Sequence, residues 1–287
     1  MAGPSLALGT VQFGLAYGVA GRQEPVPEAE SRQILRRAWH LGIDRLDTAP
    51  AYGDVEKRLG TLIGDLPFSI VSKIPSLPPT LPARDARSFV ASSIGRSREL
   101  LGPRLKGMLF HNSGDLTGPH GSSLWEEAQA AADGLALGAS CYDAEELGLI
   151  QEQFALEMAQ LPGSALDQGL RHSPPAAGIE VSLRSVFLQG LLLMPLDAAS
   201  ARVPAARPAL EKWHLFCAEQ GLPPLRAALS AAKGLPNLAY CVVGVDNLEQ
   251  LEQIAEEWDL APSLSAPELD TRSREVIDPR RWGPANV

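Results

Sequence analysis

Short apolar runs alternate with longer amphipathic segments along most of this chain. A short apolar run bounded by glycine or polar residues predicts a buried strand, and apolar positions at helical spacing predict a helix. The strand pattern occurs at 6–10, 43–47, 68–73, 105–111, 134–140, 155–161, 179–185 and 238–243. The helical pattern occurs at 28–41, 55–63, 83–101, 124–132, 144–152, 209–220, 224–233 and 248–258.

This alternation predicts parallel strands joined by right-handed crossovers, because each strand is followed by a helix that returns the chain to the same edge. Eight repeats favour a closed (β/α)8 TIM barrel over an open doubly wound sheet. One crossover is unusual, since residues 166–178 read LDQGLRHSPPAAG and contain a proline pair that breaks any helix. We therefore expect a shortened sixth crossover helix and a thinly covered barrel wall beside it.

Chain length and composition add a domain prediction. The 287 residues show no break in composition, and barrels of about 250 residues commonly form one unit. We expect a single domain over 1–287, with 262–287 as a polar C-terminal tail.

Charge and cysteine content narrow the functional classes. A net charge of −9 argues against nucleic acid or an anionic membrane as the main partner. No apolar run reaches the roughly 18 residues of a membrane span, and no signal peptide is visible at the N-terminus. Three widely spaced cysteines fit neither a disulfide framework nor a zinc cluster, so a reducing cytoplasm is the expected location.

Polar residues mark the ends of three consecutive predicted strands. Asp47, Lys73 and His111 lie at these ends, and Tyr52 follows five residues after Asp47 in the stretch IDRLDTAPAYG. The carboxyl ends of barrel strands form one face, where active sites of this architecture lie. The four side chains are therefore expected to be neighbours in space.

These four groups suit proton delivery to an oxygen atom. A phenol has an ordinary pKa of about 10, and a nearby ammonium lowers that pKa by stabilising the phenolate. A carboxylate beside the lysine keeps the ammonium charged, and a histidine facing the cavity can donate a hydrogen bond to a substrate oxygen. Such a set can protonate a carbonyl oxygen while hydride reaches its carbon.

Each of these residues also has a structural explanation when taken alone. Asp47 can cap the following helix, Lys73 can mark a strand's exit to solvent, His111 can be a loop histidine, and Tyr52 can pack under a loop. Their occurrence on successive strand ends favours a common site over four separate explanations.

Three motifs resemble the signature of the aldo-keto reductase superfamily, a family of (β/α)8 barrels: DTAPAYG, IVSKIP and MLFHN. The similarity extends over nearly the whole chain, through GTVQFGLAYGVAG, GASCYDAEEL, LDQ, RSVFLQGLLLM and VVGVDNLEQLEQI. The resemblance implies NAD(P)H-dependent reduction of an aldehyde or ketone. It implies that Tyr52 is the general acid, that Lys73 and Asp47 tune it, and that His111 orients the carbonyl.

The resemblance also implies cofactor residues. Ser140 and Gln160 match positions that hold the nicotinamide carboxamide, whereas Cys141 stands where asparagine is usual. Arg184 occupies the place of a stacking aromatic ring, and it can instead bind substrate or pyrophosphate or form a buried salt bridge. The loop 185–191 is expected to cover the pyrophosphate with residues that include Ser185, Phe187, Gln189 and Gly190.

The last strand departs from the family pattern. Many relatives place Lys or Arg after it to hold the 2′-phosphate of NADPH, but here the corresponding residues are Gly244, Asp246, Asn247 and Gln250. A phosphate beside Asp246 is unfavourable, so NAD(H) is an alternative, although the family favours NADP(H). NADPH can also bind through backbone amides at the start of the final helix. Asp246 alone can be a helix cap.

The substrate pocket is less defined. Gln12, Phe13 and Tyr17 follow the first strand and are expected to line it, and Trp282 either closes the pocket or packs on the barrel's flank. The expected partner is a small carbonyl compound, without metal, nucleic acid or membrane. Two other functions stay open: a Schiff-base aldolase acting through Lys73, and a cofactor-binding regulatory barrel with little turnover.

Overall fold

Eight parallel strands close into a barrel in the order in which they occur along the chain. The structure is a computed structural model and describes residues 3–18 and 24–282. The strands are β1 Ser5–Gly9, β2 Arg45–Asp47, β3 Ser69–Ile74, β4 Leu105–Phe110, β5 Ala136–Ser140, β6 Met158–Pro162, β7 Glu180–Arg184 and β8 Leu238–Val243. Leu8 of β1 pairs with Leu46 of β2 on one side and with Val243 of β8 on the other, which closes the ring.

Helices connect the strands around the outside of the barrel. They are α1 Glu28–His40, α2 Val55–Leu62, α3 Ala86–Leu101, α4 Gly114–Thr117, α5 Gly121–Ala132, α6 Ala144–Gln151, α7 Gly169–His172, α8 Leu196–Arg202, α9 Arg207–Gln220, α10 Pro224–Lys233, α11 Leu248–Leu260 and α12 Arg274–Ile277. Of the helices in the described part of the chain, none has the length and apolar character needed to span a bilayer.

The predicted (β/α)8 barrel is confirmed, and the predicted strands and helices appear with modest shifts at their ends. The fifth strand begins later than expected because Asp133 and Gly134 take left-handed backbone conformations that end α5. Helix α8 was not expected. It lies between Pro195 and Pro204 and is too short to show a clear apolar period.

Two apolar clusters hold the outer layer against the barrel. The main core fills the space between the strands and the surrounding helices, with Leu8, Leu46 and Ile70 among its fully buried members. A second cluster joins α9 and α10 to the C-terminal tail, and it includes Leu191, Leu192, Trp213, Ala228, Leu269 and Val276. The tail is therefore packed into an apolar interior of its own.

The sixth crossover helix is short, as predicted, because α7 has only four residues. The expected thin wall is wrong, since the tail covers this region. The side chain of Gln168 donates to the carbonyl of Ala266 at 2.6 Å, and the backbone nitrogen of Thr271 donates to the carbonyl of Leu166 at 2.9 Å. Residues 266–271 thus replace the missing part of the helix.

Residues 277–280 of the tail reach the carboxyl face of the barrel. Trp282 packs against the second cluster and donates its indole N–H to the carbonyl of Glu275 at 3.1 Å. Of the two roles considered for Trp282, packing on the flank is the one that its contacts support. The wall of the cavity is formed instead by neighbours that include Ile277 and Arg280.

Candidate active site

The predicted proton-delivery residues meet at the carboxyl end of the barrel. Asp47 is the last residue of β2, Lys73 is the penultimate residue of β3, and His111 directly follows β4. Tyr52 lies in the turn between β2 and α2 and faces the same cavity. The prediction that these side chains are neighbours is confirmed by the hydrogen bonds among three of them.

Two glycines position the turn that carries Tyr52. Gly53 adopts a φ of +75°, which favours glycine, and places the chain against Gly14 of the loop after β1. A Cβ atom on Gly14 would overlap the backbone carbonyl of Tyr52. The close approach of these two backbones therefore fixes where the phenol stands.

Lys73 uses all three of its N–H donors inside the barrel. Its Nζ donates to Asp47 Oδ1 at 2.7 Å, to the carbonyl of Thr48 at 3.0 Å and to the Tyr52 hydroxyl at 3.4 Å. Burial lowers the pKa of Lys73, but the charge of Asp47 and the contact with Tyr52 outweigh burial and raise the pKa above its ordinary value. The lysine is therefore a charged, fully bonded ammonium.

Tyr52 is held mainly in its protonated form. Burial raises the pKa of Tyr52, and the nearby ammonium of Lys73 lowers it by less. Lys73 lowers the pKa of Tyr52 as expected, but the pKa still lies above its ordinary value because desolvation of the phenolate is the larger effect. A protonated phenol beside an ammonium is nevertheless the form that a general acid requires.

His111 faces Tyr52 edge to face, with ring centroids 6.0 Å apart. Burial lowers the pKa of His111 to about 4, and the charge of Lys73 acts in the same direction. The imidazole is therefore neutral near pH 7 and carries one N–H donor. No side-chain hydrogen bond of His111 occurs within the described residues, so its donor is available to a ligand.

Gln160 on β6 makes a contact that was not expected. Its Nε2 donates to Asp47 Oδ2 at 2.7 Å, and its Oε1 accepts a long hydrogen bond from the Ser140 hydroxyl at 3.5 Å. Both polar side chains are buried at the floor of the cavity. The two residues predicted to hold the carboxamide are thus adjacent, and one of them also belongs to the Asp47 network.

Cys141 contributes through its backbone. Its side chain is buried, and burial raises the pKa of the thiol to about 12, so the sulfur is neutral. Its N–H donates to the carbonyl of Gln160 at 2.8 Å, and its carbonyl accepts from Arg184 at 3.2 Å. The position therefore links β5 to β6 and to the end of β7.

Arg184 lies at the end of β7 and lines the cavity. Besides the Cys141 carbonyl it contacts the Ser185 hydroxyl at 3.5 Å and lies 5.7 Å from the Tyr142 ring centroid. Within the described residues Arg184 forms no salt bridge, so the buried salt-bridge interpretation is wrong. The site contains a cation whose charge is not neutralised by a direct carboxylate contact.

The site opens into a cavity of about 1420 Å³. Gln12 and Tyr17 line it as expected, whereas Phe13 is fully buried in the main core. The prediction for Phe13 is wrong because the helical turn Val11–Phe13 directs this apolar ring inward. The loop after β7 lines the cavity with four residues that were predicted to cover the pyrophosphate: Ser185, Phe187, Gln189 and Gly190.

Residues after β8, the strand next to β7, also line the cavity, with Gly244, Asp246 and Gln250 in its wall. Asn247 caps α11, since its Oδ1 accepts from the N–H of Gln250 at 2.8 Å. Gln250 in turn accepts from the N–H of Asp246 at 2.7 Å. The interpretation of Asp246 as the cap is wrong, because Asn247 is the cap. The side chain of Asn247 bonds the start of the helix and does not line the cavity.

The tail supplies cavity residues that sequence reasoning missed. Arg274 forms a salt bridge with Asp143 at 2.6 Å, and the Arg280 guanidinium lies 3.7 Å from the Tyr142 ring centroid. Both pairs close the tail over the loop after β5. The one sequence signal was the basic run of 272–281 in an acidic chain, which has no helical period to place it.

No group of three His, Cys, Asp or Glu side chains within 3–18 and 24–282 is placed to hold a metal ion.

A parallel barrel with these polar side chains gathered at its strand ends has the architecture of the (β/α)8 enzymes, whose active sites lie at this face. The profile of the Aldo/keto reductase family matches residues 5–270, and the chain belongs to this family. Membership supports an oxidoreductase activity on carbonyl compounds, and the family typically uses nicotinamide cofactors.

Solved structures agree with this assignment. The chain is similar to the crystal structure of PA4992 from Pseudomonas aeruginosa, provisionally named an aldo-keto reductase, with 25% identity and a TM-score of 0.65 over 91% of this chain and 92% of that one. A second structure, from the same organism and with the same provisional name, has 25% identity and a TM-score of 0.64 over 91% of each chain. No curated protein matches the sequence significantly.

Proposed function

We propose that the protein reduces a small aldehyde or ketone with NAD(P)H, and that Tyr52 protonates the carbonyl oxygen. The observation that carries this proposal is the bonding of Lys73, which holds Asp47, Thr48 and Tyr52 at once inside the barrel. A buried ammonium beside a phenol favours transfer of the phenol's proton, because it stabilises the phenolate that forms.

The cavity fits a nicotinamide cofactor together with a substrate. Its volume of about 1420 Å³ exceeds the roughly 300–1,000 Å³ typical of small-molecule sites. Ser140 offers a hydroxyl and Gln160 offers an amide at its floor. The buried Oε1 of Gln12 has no hydrogen-bond donor within the described residues. When bound, the cofactor supplies the hydride that reduces the carbonyl carbon.

The protein's own groups manage the proton. His111 donates its N–H to the carbonyl oxygen and orients it toward Tyr52. As the phenol gives its proton to that oxygen, negative charge develops on the phenolate beside Lys73, which stabilises it. Asp47 keeps the ammonium charged and holds it in place through the 2.7 Å contact.

The bonding of Lys73 argues against the Schiff-base alternative. A lysine that attacks a carbonyl must be a neutral amine, which requires a lowered pKa. Here Asp47 and Tyr52 overcome burial and raise the pKa of Lys73, and its three donors are all occupied. The nitrogen is therefore not available as a nucleophile.

NADP(H) remains the favoured cofactor, with NAD(H) as the alternative. No Lys or Arg occurs in 244–250, and the cavity's arginines come from Arg184 and from the tail at Arg272, Arg274 and Arg280. Arg274 and Arg280 are paired with Asp143 and Asp278, so within the described residues Arg184 and Arg272 are the cavity arginines that support phosphate contacts away from β8. Titration of the protein's tryptophan fluorescence with NADPH and with NADH measures the preference directly.

The substitution Tyr52→Phe tests the proposed function. Reduction of a panel of aldehydes should fall roughly 100- to 10,000-fold, the usual contribution of a general acid, while nucleotide affinity stays near that of the wild type. Equal turnover by the two proteins would overturn the role of Tyr52. Tight nucleotide binding by a wild type that reduces no carbonyl would instead support a regulatory barrel.

A further inference from the structure

Asp47 is held from two sides of the barrel. Its Oδ1 accepts from Lys73 of β3 and its Oδ2 accepts from Gln160 of β6, both at 2.7 Å. Gln160 is 1% exposed and Asp47 is 7% exposed, so water does not replace either bond easily. The carboxylate thus depends on Gln160 for half of its direct contacts with side chains.

This second contact affects the proton donor through the lysine. A hydrogen bond to a buried carboxylate spreads and stabilises its charge, and it fixes the plane of the group. Without the Gln160 donor, Asp47 would draw its stabilisation from Lys73 alone and would pull the ammonium toward itself. The longest of the three lysine contacts, the 3.4 Å contact to Tyr52, is the one that would weaken.

The Oε1 atom of Gln160 lies on the side of Ser140, in the part of the cavity proposed to hold the cofactor. Among the residues that the structure describes, its Oε1 has only the 3.5 Å contact with the Ser140 hydroxyl, so this acceptor is weakly used. A ligand amide that donates to Oε1 polarises the Gln160 amide and strengthens the bond that its N–H donates to Asp47. One side chain therefore touches both halves of the site.

We propose that Gln160 is a positioning residue that couples the cofactor side of the cavity to proton delivery, by orienting Asp47 so that Lys73 stays on Tyr52. The part of this inference that involves the cofactor rests on the proposed function. The link from Gln160 to Tyr52 in the ligand-free protein does not, and the two parts can be tested separately.

A double-mutant cycle in the ligand-free protein tests the link. Gln160 and Tyr52 share no direct hydrogen bond, so Gln160→Leu and Tyr52→Phe should lower the urea midpoint additively if they act independently. We expect the fall in the urea midpoint of the double variant to be clearly smaller than the sum of the falls in the two single variants, because Gln160 acts on Tyr52 through Asp47 and Lys73.

Gln168→Leu supplies the matched control for this cycle. Gln168 is also a buried glutamine, but its amide bonds the carbonyls of Ala165 and Ala266 beneath the tail. The fall in the urea midpoint caused by Gln168→Leu should add to the fall caused by Tyr52→Phe within error. Additivity for Gln160 as well would overturn the proposal, whatever the enzyme's activity.

The pH profile of carbonyl reduction tests the catalytic consequence. Because reduction needs a protonated phenol, the rate should fall at alkaline pH, and Gln160→Leu should move this fall to higher pH by about one unit, since Lys73 then stabilises the phenolate less. An unchanged alkaline limb would contradict the proposal. A wild type that reduces no carbonyl would refute the proposed function and leave the double-mutant cycle to decide the link.

Gln160→Glu keeps the inference testable if the leucine variant does not fold. This side chain has the same length, and it can donate to Asp47 only while its own carboxyl is protonated. Its coupling with Tyr52→Phe in the urea cycle should therefore be small at low pH and grow as pH rises across that ionisation, because the donor to Asp47 is then lost. A coupling that stays absent on both sides of the ionisation would overturn the role of Gln160.

Discussion

Asp47 and Lys73 form an ion pair that is almost inaccessible to water, with side chains 10% and 1% exposed. Removing one partner of a buried pair leaves an uncompensated charge and typically costs about 3–5 kcal/mol. Asp47→Asn should therefore lower the free energy of unfolding by about this amount, as measured by urea denaturation. The stability of the barrel and the chemistry of the site depend on the same contact.

A surface pair provides the matched comparison. Arg37 and Glu252 are also 2.7 Å apart, but their side chains are 45% and 47% exposed. Pairs of this kind contribute about 0.2–1 kcal/mol, so Glu252→Gln should change stability little. Equal losses for Asp47→Asn and Glu252→Gln would show that burial of the Asp47 pair has no energetic consequence.

The pKa of His111 predicts a dependence of stability on pH. Its pKa is about 4 in the folded protein, against an ordinary value of 6.5, because burial and Lys73 disfavour the charged ring. Between these values the unfolded chain binds more protons than the folded protein, so this residue lowers stability as pH falls from 6.5 toward 4.

The substitution His111→Asn isolates this contribution. The difference in unfolding free energy between wild type and variant should shift in favour of the wild type as pH rises from 4 to 6.5, as followed by urea midpoints across that range. Parallel curves for the two proteins would mean that His111 titrates normally in the folded state.

The candidate site was predictable where it depended on strand ends. Carboxyl ends of parallel strands converge, so Asp47, Lys73 and His111 had to meet once the barrel was assumed. The contact between Gln160 and Asp47 was not predictable, because it crosses the barrel and depends on side-chain rotamers. The net rise in the pKa of Tyr52 was not predictable for a related reason, since the burial of the phenol is set by the whole fold.

At the level of elements, the tail behaves as part of the interior. Leu269 is buried in the second cluster, together with Trp213 and Val276. Leu269→Ala should therefore lower the free energy of unfolding by about 2–5 kcal/mol, the usual cost of removing a buried leucine side chain. Urea denaturation again measures the effect.

Leu260 offers a control with the same chemical change. It is the last residue of α11 and is 54% exposed, so Leu260→Ala should change stability by no more than about 0.5 kcal/mol. A Leu269→Ala protein as stable as Leu260→Ala would show that the tail is not packed as the second cluster requires.

The elements themselves were largely predictable from apolar spacing, and their errors have physical causes. Residues 134–135 belong to a turn because Asp133 and Gly134 take positive φ values that apolar spacing does not reveal. The tail has only short helical turns and few apolar residues in a regular period. Its position is dictated by the gap beside α7, which becomes apparent only in three dimensions.

For the whole molecule, nucleotide binding should raise the free energy of unfolding. A ligand that binds only the folded state at 100 times its Kd adds about 2.7 kcal/mol to the free energy of unfolding. We expect NADP⁺ or NAD⁺, whichever binds the cavity more tightly, to raise Tm by several degrees in thermal unfolding. A nucleotide that binds weakly should leave Tm unchanged at the same concentration.

Tyr52→Phe is the control for this measurement, because the phenol is proposed to act on the substrate rather than to hold the nucleotide. Its Tm should rise as much as that of the wild type. A protein whose Tm responds to neither nucleotide would contradict both the reductase and the regulatory-barrel interpretations.

The contacts by which the tail covers the sixth crossover also have a consequence during synthesis of the chain on the ribosome. Gln168 and Asp270, which bond each other across this gap, are 102 residues apart in sequence. At roughly 5–20 residues per second, the ribosome delivers the second partner about 5–20 s after the first. During that interval the buried apolar side chains of Leu166 and Leu170 lack their final cover. The nascent barrel is then exposed to chaperones and proteases at its sixth segment until residues 266–271 are synthesised.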